Sequence, residues 1–405
     1  MSDRGDFYAP DDVKRWRTLA LGIGGIGLII WAVGLYFNSE QALRSWILGY
    51  VFWSGIGIGC LGVLIMSYLT GGAWAVVSRR TLEAGARTLP IIVLLFIPLA
   101  LGVAGGKVFT WTHLPPTEHT MVQRGWFMTP ESWILRSIFY FAVFGTLTYL
   151  LTKWSGLQDQ TSNPEDSAAY LGKSTKLSGP SMIIWCVIVS FCAVDWVMEL
   201  DPHFTSTIYG MLYIAGWGLS CYCFVVTILA LLSDKPGLNR VLGKRHFHDL
   251  GKLMLALVMI WAYFNFAQYL IIWSGNIPEE THWFVDRTKG GWGYIGALLI
   301  FFHFAFPFLV LLQQDFKRKA KWIASLAIFI LLMRLFDYLY LVGPNPWINE
   351  HIERGAFIVS WMDVIAPIAV GGIWLWWFFG ELMKRPLVPV QDPFLENAIE
   401  HGHGH

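Results

Sequence analysis

Apolar runs of about 20 residues, parted by short polar stretches, recur along the whole chain. About 20 residues of helix cross the hydrocarbon layer of a bilayer. The runs fall at about 18–37, 45–69, 88–108, 131–153, 179–199, 205–232, 249–274, 292–312, 321–342 and 356–379, so the pattern predicts ten spanning helices. Between the second and third, Gly71 to Arg87 mixes Trp74, Arg79, Arg80 and Glu83 with apolar residues. That stretch is too polar to span and is expected to lie as an amphipathic connector at the membrane interface. The predicted class is all-α: an N-terminal segment over 1–17, a membrane domain over 18–379 and a tail over 380–405.

The pattern also repeats. A shift of 161 residues lays Ser45 on Ser206, Gly49 on Gly210, Gly55 on Gly216, Gly57 on Gly218 and Cys60 on Cys221. A shorter connection before segment nine changes the shift to 142, which lays Asp195-Trp196 on Asp337-Tyr338 and Pro202 on Pro344. Segments two to five and six to nine are therefore expected to form two related four-helix bundles in parallel orientation, flanked by segments one and ten. The glycines thin segments two and six for close helix approach.

Composition agrees with a membrane class: 55% of the 405 residues are hydrophobic, 16% aromatic and only 14% charged. The net charge of +1 gives no reason to expect a nucleic-acid partner. Charge placement sets the expected orientation. Of the 29 Lys and Arg residues, 21 flank one side, from Arg4 through Arg79 and Lys244 to Arg385, and 7 flank the other. Both termini are expected on the cytoplasmic side. The polar start lacks the design of a cleaved signal, which leaves segment one as the insertion signal. The outer side then carries loops 109–130, 200–204, 275–291 and 343–355, and the 275–291 loop is long enough to dock a partner.

Candidate chemistry is sparse. Cys60, Cys186, Cys192, Cys221 and Cys223 all lie in apolar segments with no CxxC or CxxCH spacing, so neither an iron–sulfur cluster nor covalent haem is indicated. There is no evident nucleophile, phosphate loop or full metal-ligand set. Glu279-x-x-His282 occurs once, in a loop, and the terminal His401-Gly402-His403-Gly404-His405 reads as a disordered tail.

A charge inside a membrane needs a partner, water or a task. Asp195 lies about one turn inside the end of segment five, and Asp337 at the matching depth of segment nine. Arg334 precedes Asp337 by three residues, on one helical face. The two either lock the bundle as a neutral pair or belong to a proton relay. His303 is a lone mid-span histidine without the second axial ligand a b-type haem requires. Asp363 is expected two turns inside segment ten. Pro307 and Pro367 each follow one of these residues by four, so each frees a carbonyl and kinks its helix. The proton-path candidates are thus Asp195, Asp337, Arg334, His303 and Asp363.

Asp195, Glu199, Asp201 and His203 crowd the corner between segments five and six, where Glu199, Asp201 and His203 read as solvated caps. Asp195, Trp196, Asp201, His203 and Tyr209 are the candidates for a quinone pocket, which takes an apolar slot with a few polar groups.

Two runs carry a family likeness: Asp195-Trp196-Val197-Met198-Glu199-Leu200-Asp201-Pro202-His203-Phe204 with Ser206-Thr207-Ile208-Tyr209-Gly210, and Phe264-x-x-Ala267-Gln268-Tyr269-Leu270-x-x-Trp273-x-x-Asn276-Ile277-Pro278-Glu279-Glu280. Both resemble the NrfD-like membrane subunits of alternative complex III, of the ActF type, the second quinone-binding membrane protein of quinol:cytochrome c oxidoreductase. The resemblance covers most of the chain. It implies a multi-pass protein of a bacterial inner membrane, in a respiratory or photosynthetic electron-transport complex that oxidises menaquinol or a similar quinol. It implies partners: a sister NrfD-like subunit, an iron–sulfur subunit, haem c subunits, membrane lipids and a terminal oxidase. Haems and iron–sulfur clusters are expected in those partners, with no cofactor bound covalently here and quinone as the candidate ligand. In the family the sister subunit is the closer candidate for quinol oxidation, and the ActF type is associated with proton half-channels. The chain is then not catalytic alone. Two other readings stay open: a structural anchor without a site of its own, and an independent secondary transporter, for which the break beside His303 speaks.

Overall fold

The computed structural model describes residues 7–403; Arg4, Gly404 and His405 lie outside the described residues. It is all helix. In chain order the α-helices are α1 (Asp11–Phe37), α2 (Ser39–Thr70), α3 (Ala73–Ala86), α4 (Leu89–Ala104), α5 (His119–Arg124), α6 (Pro130–Gln160), α7 (Pro164–Trp196), α8 (Tyr209–Leu232) and α9 (Lys244–Gly275). There follow α10 (Pro278–Asp286), α11 (Trp292–Leu298), α12 (Phe306–Leu312), α13 (Gln314–Lys317), α14 (Ala320–Val342), α15 (Met362–Leu382) and α16 (Leu395–His403). A π-helical stretch, Leu299–Ala305, joins α11 to α12. Among the described residues, ten helical segments are long and apolar enough to cross a membrane, in the places the apolar runs predict.

The helices differ in what surrounds them. The apolar windows of α2 and α8 are 94% and 83% buried, whereas those of α9 and of the Trp292–Leu312 span are 22% buried. Thus α2 and α8 form the centre, and α9 and α11–α12 turn most of their surface outward. Where α2 meets α8, the free thiols of Cys60 and Cys221 stand 3.5 Å apart. Indole N–H groups tie neighbouring helices together: Trp46 donates to the Leu95 carbonyl at 2.9 Å and Trp185 to that of Ile58 at 3.0 Å. A buried N–H without such an acceptor is costly, so these contacts fix helix rotation as well as position. Helix α1 lies on α15 through glycine: a Cβ added at Gly24 would stand 2.6 Å from the Ile373 backbone nitrogen.

Helix ends follow local chemistry. Helix α4 stops at Ala104, short of the expected 108, because Gly106 adopts φ +65° and the Lys107 N–H reaches back to the Gly102 carbonyl at 2.8 Å. Helix α15 begins at Met362 rather than near 356. Asp363 accepts from the Ser360 N–H at 2.8 Å, so it caps the first turn and is not two turns inside. Helix α7 begins at Pro164, capped by Asn163, and runs through Pro180. The π-helical stretch before Pro307 is the break expected there, since proline supplies no N–H to the carbonyl of His303.

Two expectations are corrected. The 71–87 connector does not face lipid: residues 75–86 are all buried within the chain. Its charges are satisfied internally, Arg80 by Glu83 at 2.7 Å and by Asp159, Glu83 also by Ser155 at 2.5 Å, and Arg79 by Asp392. The tail is not disordered through His403. Helix α16 packs on α3 and α9, His246 Nε2 meets the Ala398 carbonyl at 2.9 Å, and His401 meets Asp249 at 2.8 Å.

Candidate functional site

Asp195 is fully buried near the end of α7. Arg136 of α6 donates to it from Nε at 2.9 Å and Nη2 at 3.1 Å, and Tyr140 from its hydroxyl at 2.7 Å. The Trp133 indole donates to the Asp195 carbonyl at 2.7 Å. Arg136 is itself steadied by the Phe127 carbonyl and the Ser132 hydroxyl. One turn on, Glu199 is buried with neither carboxylate oxygen hydrogen-bonded, 3.9 Å from Arg136 Nη2. It is not the solvated cap expected. Trp196 donates to Ser137 and packs among Tyr50, Phe96 and Trp217.

Asp337 forms the second cluster. Arg334, one turn earlier on α14, pairs with it, and the Trp261 indole of α9 donates to it at 3.2 Å. Arg334 also donates to the Tyr338 hydroxyl at 2.7 Å. The Trp261 ring lies flat on His303, with centroids 4.0 Å apart and planes 8° apart. His303 is fully buried, and neither ring nitrogen has a hydrogen-bond partner. Asp337, held by Arg334, and His303 therefore meet on one indole, in the low-dielectric interior where an unpaired polar group needs a reason.

From this cluster, polar groups continue toward the corner between α7 and α8. The Tyr338, Tyr213 and Tyr209 rings follow one another at 6.0 and 5.3 Å. Arg287, after α10, is buried against the Trp283 ring and donates to the Leu341 carbonyl at 2.7 Å and to Asn345 at 3.1 Å. Burial holds its pKa down to about 10, so it keeps its charge at neutral pH. Beyond it, Arg354 bridges Asp286 at 3.2 Å and Asp201 at 2.6 Å, and His282 meets Asp201 at 2.9 Å. Burial raises the Asp201 pKa, but the His282 hydrogen bond and the Arg354 charge outweigh it and hold it below the ordinary carboxylate value. The 275–291 loop is thus folded onto the chain's own corner, with Trp283 stacked on Phe204 at 4.7 Å.

The corner candidates are divided by the fold. Asp195 and Trp196 belong to the α6–α7 contact, and Tyr209 to the tyrosine row. Asp201 belongs to the α10 network, while His203 lies half-buried against Thr120 at 3.3 Å. Asp363 stands apart, accepting from Ser45 at 2.6 Å and Gln41 at 3.0 Å of α2. Arg136, Tyr140, Trp261, Arg287 and Arg354 enter these clusters without a sequence signal, because each arrives from a distant segment. Tyr338 had one: it follows Arg334 by four residues.

No family model matches the chain, and no curated protein matches it in sequence. By its fold, the chain is an all-α polytopic membrane protein with ten candidate spanning helices among its described residues.

Proposed function

We propose that this chain is an NrfD-like membrane protein of the ActF type, within a quinol-oxidising complex of the alternative complex III type, and that it moves protons rather than electrons. Its haem and iron–sulfur chemistry belongs to partner subunits, a sister NrfD-like subunit among them. The two long motifs around Asp195 and Gln268 support the family reading. The observation that carries the proton role is the succession from the Tyr338 hydroxyl through Arg334 to Asp337, and across the Trp261 indole to His303.

Such a succession suits proton transfer for a physical reason. A buried carboxylate changes charge at a high desolvation penalty unless a fixed cation stands beside it. Arg334 supplies that cation, and Tyr338 and Trp261 orient the two groups. His303 stands one ring away, stacked on the Trp261 indole with neither ring nitrogen hydrogen-bonded. The Asp195–Arg136–Tyr140 cluster offers the same chemistry in the other half of the chain. Asp195, Trp196 and Tyr209 are each at most 2% exposed, packing that favours the proton role over a quinone pocket at the corner.

The test uses the assembled complex. Asp337→Asn and Asp195→Asn are each expected to co-purify with the haem subunits yet release fewer protons per quinol oxidised. Unchanged quinol oxidation and unchanged proton release in both variants would leave the chain as a structural anchor.

A further inference from the structure

A cleft of about 440 Å³ opens where α7, α9 and the loop leading into α8 converge. Its walls are apolar, with Val194 and Ile272 inside. Phe191 and Ile271 at its edges are 46% and 60% exposed on helices of membrane-spanning length, so the cleft opens sideways. Gln268 lines it, only 3% exposed, and its amide nitrogen has no hydrogen-bond partner. Ser206, Thr207 and the half-buried Glu280, which makes no ion pair among the described residues, also line it. Gln268 lies two turns below the end of α9 at Gly275, about 10 Å along the axis.

We propose that the cleft binds a zwitterionic aminophospholipid. An ester carbonyl takes the Gln268 N–H, an acyl chain runs out along Phe191 and Ile271, the phosphate accepts from Ser206 and Thr207, and the ammonium faces Glu280. The free carboxylate selects the headgroup: a lipid of net negative charge sets like charge against Glu280, and a quinone satisfies Gln268 but leaves Glu280 unused. The site is independent of the proton path, since none of the path residues lines it.

The protein is purified in detergent and titrated with dioleoylphosphatidylethanolamine, dioleoylphosphatidylglycerol or decylubiquinone, with bound species counted by native mass spectrometry. The ethanolamine lipid is expected to bind about two- to fivefold more tightly than the glycerol lipid, and Glu280→Gln to erase that preference. Gln268→Leu is expected to weaken both lipids about two- to tenfold. Glu280 is unpaired, so its substitution leaves the fold intact, and a Glu280→Gln protein with the parent's preference overturns the proposal. Displacement of the ethanolamine lipid by decylubiquinone, lost in Gln268→Leu, also overturns it and gives the cleft to a quinone.

Discussion

Asp195 and Asp337 each meet an arginine inside the bundle, but the two arginines arrive by different routes. Arg136 comes to Asp195 from another helix, 59 residues earlier, and its side chain keeps 18% exposure. Arg334 sits three residues before Asp337 on the same helix, and its side chain is 2% exposed. The first pair is a strap that fixes where α6 and α7 meet. The second is neutralised within α14 itself, which leaves Tyr338 and Trp261 to connect it to other helices. An ion pair between helices positions the fold; one within a helix lets charge enter the interior and leaves its links available for chemistry.

That contrast is breakable, beginning with the deeper pair. Arg334→Ala strands Asp337 in the interior and is expected to destabilise the protein by about 3–5 kcal/mol, read as a loss of thermal stability in detergent. Arg334→Met with Asp337→Leu is expected to recover most of that loss, because the apolar pair leaves no charge behind. Arg136→Ala leaves Asp195 its Tyr140 hydrogen bond and removes a partly exposed side chain whose place water can take, for a smaller loss of about 2 kcal/mol. Equal losses for the two alanine variants would erase the distinction between strap and interior pair.

The smallest effect concerns the end of the bundle that both clusters approach. Asp201 is more acidic in the folded protein than an ordinary carboxyl. A depressed carboxylate adds stability above its unfolded value, near pH 4, and loses it as pH falls through the folded value. The parent is therefore expected to melt above Asp201→Asn at pH 6, with the gap narrowing below about pH 4. A gap unchanged to pH 2 would assign the stabilisation to packing around His282 and Arg354 instead of charge.

The spanning helices and the Arg334–Asp337 pair were legible in the sequence for one reason: both are local patterns, an apolar run and a spacing of one turn. Arg136 was legible only as a flanking charge, because nothing near residue 136 tells that residue 195 will stand opposite it. Helix α3 misleads for a related reason. Its arginines look like surface charge until Asp159, Asp392 and Arg385 arrive from elsewhere to enclose Arg79, Arg80 and Glu83. The early end of α4 and late start of α15 lay in turn residues, Gly106 and Ser360, within otherwise apolar context.

The bond between Arg79 and Asp392 has a consequence for how the molecule is made. The two residues are 313 positions apart. A ribosome completes α3 long before it reaches the aspartate that α3 requires. Until then, Arg79 is a cation waiting beside a place it cannot occupy without penalty. The segment around Asp392 thus acts as a late latch: once it closes, the arginine of α3 is enclosed.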